Sequence, residues 1–60
     1  MSYVLFIVTT QKKEAYLSHM DGAHAVRTAD LGIARRFETA RDAYDYGARK
    51  GLGWWRVGQR

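Results

Sequence analysis

Sixty residues carry ten Lys and Arg against six Asp and Glu, a net charge of +4, and no cysteine. A chain of this length makes one small domain, residues 1–60, that buries only about 60% of the surface its unfolded form exposes, so it depends on unusually good packing or on a partner. The missing cysteine excludes disulfides and thiolate metal sites and fits a reducing compartment.

Ser2–Thr10 is β-branched and aromatic, which predicts a strand. Alternation places Tyr3, Leu5 and Ile7 on one face and Val4, Phe6 and Val8 on the other. Both sets are apolar, the pattern of a strand covered on two sides. Tyr3–Val8 is also the longest apolar run, far short of the ~20 residues a membrane-spanning helix needs. No basic segment precedes it as one would a signal peptide, so the expected location is cytoplasmic, with no membrane partner.

Gln11–Glu14 reads as a polar turn and Ala15–Met20 as a second strand, with Tyr16, Ser18 and Met20 opposite Ala15, Leu17 and His19. Asp21-Gly22 is a strong hairpin signal, read here as the central pair of a type I′ turn. Ala23–Thr28 is the return strand, completing an antiparallel meander. Asp30 is placed to cap one helical turn through Leu31–Ala34 before the chain extends into Arg35–Phe37.

Thr39–Lys50 predicts the main helix, running from about Ala40 to Lys50, with Thr39 as N-cap, Asp42 completing a capping-box pattern and Gly51 just past the end. Ala40, Ala43, Tyr44, Gly47 and Ala48 share its core face, with Tyr46 on the boundary. Their small side chains allow a close approach to the sheet. Arg41, Asp45 and Arg49 line the outer face at i, i+4 spacing. Gly53–Gly58 reads as a last strand, Trp54 and Arg56 pointing one way and Trp55 and Val57 the other. The expected fold is α+β: an antiparallel three- to four-stranded sheet on a single helix, in βββαβ order.

One helix covers one face of such a sheet. Nothing else in the chain looks long enough to cover the second apolar face of the first strand, so that face is expected to be an interface with a homodimer or foreign protein partner. The Ala29–Phe37 stretch folding back is the plainer alternative.

The charge is uneven. Lys12, Lys13 and Arg27 balance Glu14, Asp21 and Asp30 in the first half. Arg35, Arg36, Arg41, Arg49, Lys50, Arg56 and Arg60 outweigh Glu38, Asp42 and Asp45 in the second. The excess suits an acidic partner, either nucleic acid or an acidic protein face, or else serves solubility.

Ser18, His19 and Asp21 have the letters of a catalytic triad, but neighbouring strand residues are expected on opposite faces. No enzyme activity is read from them. His19 and His24 are expected to pair across the hairpin, without the spacing of a metal site. Gly47–Gly53 is glycine-rich and basic but follows its helix, whereas a phosphate loop precedes one. No cofactor or metal is implied. Basic residues interleaved with Tyr44, Tyr46, Trp54 and Trp55 are compatible with nucleic-acid contact, or with one Trp anchoring the core.

Tyr16-Leu-Ser18, Asp21-Gly22, Ala29–Tyr44 and Trp54-Trp55 together resemble a recurring pattern among small phage and prophage proteins. Those with known roles include anti-CRISPR proteins and other inhibitors that occlude a host enzyme. The resemblance implies a small sheet on one helix and a phage-encoded inhibitor of a host protein or nucleoprotein complex. Because this chain is basic, it implies occlusion instead of DNA mimicry, and it carries over no site residue. The residues expected to meet the partner come from charge and aromaticity: Arg35, Arg36, Tyr46, Arg49, Lys50, Trp54, Trp55 and Arg56. The competing expectation is a small basic nucleic-acid-binding regulator, separable by the steep salt dependence that phosphate contacts impose.

Overall fold

β1 (Tyr3–Val8) lies between β2 (Glu14–Asp21) and β4 (Arg56–Gln59), and β3 (His24–Thr28) flanks β2. All pairings are antiparallel, giving a sheet of order β3-β2-β1-β4 against which the helix α1 (Ala40–Arg49) packs. The computed structural model describes residues 2–60. The α+β class and the βββαβ order agree with the sequence expectation. So does the covering of both apolar faces of β1.

On the helix side, Leu5 and Leu17 are fully buried among Phe37, Ala43, Leu52 and Trp55. Each such side chain contributes about 1.5–3 kcal/mol by leaving water. The helix begins where Thr39 Oγ1 accepts the Asp42 amide at 3.0 Å. It ends in a Schellman motif, with the Leu52 amide on the Gly47 carbonyl at 2.7 Å and the Gly51 amide on Ala48. Gly51 supplies the left-handed residue this needs, at φ 75°. Leu52 is thereby turned into the core.

The buried face of α1 is Ala43, Tyr46 and Gly47, a correction to the expected set. Tyr44 is exposed, and so are Ala40 and Ala48. The cause is Phe37, fixed beside β1 by paired backbone bonds with Tyr3 (2.8 and 2.9 Å). Its ring lies 5.3 Å from that of Tyr46 and draws that residue inward. Gly47 then brings the helix against Leu5, whose methyls lie 3.5 Å from where a Cβ would stand.

The opposite face holds Val4, Phe6 and Tyr16, buried under Ala34 and Leu31. This corrects the expectation of an uncovered interface face: the Ala29–Phe37 stretch is long enough after all, and folds back over it. Asp30 shapes it by accepting the Gly32 amide on Oδ1 (2.8 Å) and the Ile33 and Ala34 amides on its carbonyl. Arg36 then clasps it, donating to the Leu31 carbonyl, the Arg60 carbonyl and Ser2 Oγ at 2.8–3.0 Å.

Three local details depart from expectation. β2 and β3 are joined through Gly22-Ala23, with Asp21 opposite His24. Gly22 at φ 60° therefore takes the first loop position, the type II′ pattern and not type I′. A bulge at Ser18 shifts the β2–β3 register, so that Leu17 and Met20 both reach the helix side while Tyr16 stays on the other. The last strand starts at Arg56, because Gly53–Trp55 is spent on a turn closed by the Trp55 amide on the Leu52 carbonyl.

Candidate basic and aromatic surface

The sequence-predicted contact residues separate into three places. Arg35, Tyr46, Arg49 and Lys50 gather beside the helix. The Arg35 guanidinium sits 4.5 Å from the Tyr46 ring centre and 5.4 Å from that of Phe37, and Lys50 Nζ lies 5.8 Å from Tyr46. Arg stacked on an aromatic face is held in position while staying charged. Lys50 lines a different groove, whereas Arg35, Tyr46 and Arg49, together with Arg36 and Phe37, line a shallow one of about 700 Å³ that also carries Glu38, Asp42 and Asp45. Its charge is therefore mixed.

Arg36 spends three of its five N–H donors on the clasp described above. Trp55, 7% exposed, belongs to the core, and its Nε1–H is buried without a hydrogen-bond partner among the described residues. Arg56 stands opposite Phe6, on the sheet face away from the helix. Arg36 still borders the groove beside Arg35, and Trp55 the groove around Trp54, while Arg56 lines neither.

Trp54 is the exposed tryptophan, at 70%. Its ring lies 5.6 Å from Trp55 at a 53° tilt, so the core residue props the surface one. Around it lies a second groove of about 350 Å³, bounded by the end of β3 and the Lys50–Trp55 turn. His24, Arg27 and Lys50 line it, and no carboxylate does. His24 and Arg27 were not among the sequence candidates. Arg27 sits in the balanced half of the chain, and only the strand order brings it beside Trp54. The alternation of the β3 residues was the available signal, unusable without knowing how β3 faces the helix.

The remaining side chains of chemical interest are on the hairpin. The Ser18 bulge brings Ser18 Oγ to 3.0 Å from His19 Nδ1, where strict alternation would separate them. Asp21 makes no hydrogen bond to either among the described residues. His19 faces Val26 and not His24. Among the described residues no three His, Asp or Glu side chains converge as a metal site would require. No helix among them is long and apolar enough to cross a membrane.

No protein-family model, curated protein or solved structure matches this chain.

Proposed function

We propose that the chain is a non-enzymatic binding protein that uses the helix-side end of its surface, around Lys50 and Trp54, to occlude a host protein or nucleoprotein complex. The observation that supports this is a large aromatic held out in water among cations. Leaving a Trp exposed forgoes a stabilisation of the order of 1.5–3 kcal/mol that burying a large apolar side chain gives, and Trp and Arg dominate interface hot spots. The phage-inhibitor character of that role rests on the sequence resemblance alone. The covered second sheet face removes the motive for a homodimer or a foreign protein docked there. Direct nucleic-acid binding is a second reading, favoured by the lack of carboxylates around Trp54.

Affinity capture from a nuclease-treated bacterial lysate tests the proposal. The expected result is a defined polypeptide retained by the native chain and lost with a combined Arg49→Glu and Lys50→Glu variant that still melts cooperatively. Retention of the same polypeptide by the reversed variant would exclude this surface.

A further inference from the structure

We infer that the groove between the end of β3 and the Lys50–Trp55 turn binds single-stranded nucleic acid, with Trp54 as the stacking platform. The inference rests on the reading of this end of the molecule as the contact surface, and it names what that surface takes. Three features converge on it.

The first is charge of one sign. Arg27 and Lys50 line the groove, and the absence of any carboxylate distinguishes it from the groove beside Arg35, where Glu38, Asp42 and Asp45 offset the cations. A concave surface of that kind selects anions.

The second is a flat apolar face open to a ligand. Trp54 is 70% exposed and is braced by Trp55, which is itself fixed in the core. A base can therefore stack on one side without the indole having to be ordered first. Stacking of bases on aromatic side chains beside a cationic track is how sequence-tolerant single-strand binders work.

The third is shape. Ala23, Ala25 and Gly51 are small residues of a lining that also holds Leu52 and both tryptophans. A solvent-open groove of about 350 Å³ gives a base room beside Trp54. A duplex keeps its bases stacked inside and offers Trp54 none. An acidic polypeptide would satisfy the cations but offers no run of flat rings to stack on the indole.

The test is fluorescence anisotropy with end-labelled oligothymidylate and oligouridylate of about twelve nucleotides, within the ~4–16 typical of one small binding fold. Intrinsic tryptophan emission is followed in parallel. Binding of either oligonucleotide should quench the exposed Trp54 and weaken steeply as salt rises. Trp54→Ala should weaken binding by about tenfold or more and Trp54→Phe by much less. Lys50→Glu should weaken it and flatten the salt dependence, while Arg41→Ala, outside both grooves, leaves it unchanged. Melting temperatures should match throughout. Trp54→Ala binding as tightly as the native chain, or equal competition by duplex or polyglutamate, would overturn the inference. Failure of both oligonucleotides at low salt would overturn it too. If the oligonucleotides fail while a polypeptide is still captured after nuclease treatment, only the nucleic-acid assignment falls; loss of both results removes the binding reading itself.

Discussion

Arg60 reaches across the ring of Phe6 to Glu14, its Nε donating to Oε1 at 3.0 Å and its Nη2 to Oε2, with the guanidinium 4.8 Å from the ring centre. Tyr16 donates its hydroxyl to the same carboxylate at 3.0 Å. Residues from three strands' worth of chain thus roof the second apolar face beside the Ala34 loop. A two-pronged Arg–carboxylate pair is the form of surface ion pair most worth having, although exposed pairs remain modest contributors.

That cluster sets the pH response. The Arg60 hydrogen bonds hold the Glu14 carboxyl below its ordinary value of 4.5. Burial, then the bond to Glu14, pushes the Tyr16 phenol above its ordinary 10.0. A lowered acid adds stability that is complete above its unfolded pKa and is lost as pH falls through the folded one. A raised phenol adds stability present below its unfolded pKa and lost as pH rises through the folded value. Melting temperature should therefore drop on the acid side below about pH 4.5 and again on the alkaline side above about pH 10. Glu14→Gln should flatten the acid limb. An acid limb identical in Glu14→Gln would count against the assignment.

Gly58 is required for the same roof. A Cβ there would stand 2.7 Å from Phe6 Cε1 and 2.9 Å from Arg60 Nη1, closer than atoms can approach. Phe6 cannot retreat, because Ala34 and Tyr16 wall it in. Gly58→Ala should cost about 1–3 kcal/mol by overpacking. Gly53→Ala, which meets nothing within 4 Å, should stay within about 0.5 kcal/mol. Urea unfolding of the two variants decides it, and equal midpoints would refute the contact.

How much of this was readable in advance follows from where each signal is stored. The strand character of Tyr3–Val8, the Thr39 cap and the Gly51 stop are local, and the structure realises them within a residue or so. The rotation of the helix toward Tyr46 depends on Phe37, which only the bridge to Tyr3 puts in reach. The Ser18 bulge has no local signature in a strand of ordinary composition. For the candidate surface, exposure of one tryptophan and burial of the other was foreseen as a division, but adjacency of Trp54 to Arg27 is a property of strand order.

Lys12 offers a stabilising change. It is the one non-glycine residue with positive φ among the described residues, at 60°, in the turn where the Lys12 amide bonds the Thr9 carbonyl and the Thr9 amide the Lys13 carbonyl. The left-handed region costs an ordinary L-residue roughly 1–2 kcal/mol, and glycine avoids it. Lys12→Gly should raise stability by about 0.5–1 kcal/mol, net of the extra freedom glycine gives the unfolded chain. That corresponds to a few degrees in melting temperature for a domain this small. An unchanged or lower melting temperature would show that the turn relaxes to accept lysine.

Because both faces of β1 are covered from within, Leu5→Ala and Phe6→Ala should both act on folding. Truncation of buried Leu or Phe costs about 2–5 kcal/mol. Arg41→Ala, which loses only an exposed 3.9 Å pair with Asp45, should cost a few tenths. Denaturation and sedimentation together test this. A Phe6→Ala chain that keeps its stability but changes its oligomeric state would mean that the Ala34 loop does not hold the second face closed.

The two neighbouring arginines provide the sharpest contrast between holding the fold and meeting a partner. Arg36 donates to three acceptors that join Leu31, Ser2 and Arg60, and so fastens the covering loop to both ends of the described chain. Arg35 lies on Tyr46 with its charge outward, and its side chain makes no hydrogen bond to another residue among those described. Arg36→Ala should therefore cost about 1–2 kcal/mol, less than three buried charge-assisted bonds would because the residue is exposed. It should also raise hydrogen exchange at the Ile33 and Ala34 amides. Arg35→Ala should cost under about 0.5 kcal/mol and leave those amides protected. If partner capture weakens with Arg36→Ala only as far as stability falls, while Arg35→Ala weakens it in a chain that melts normally, the division of roles stands. Equal destabilisation by the two substitutions would refute it.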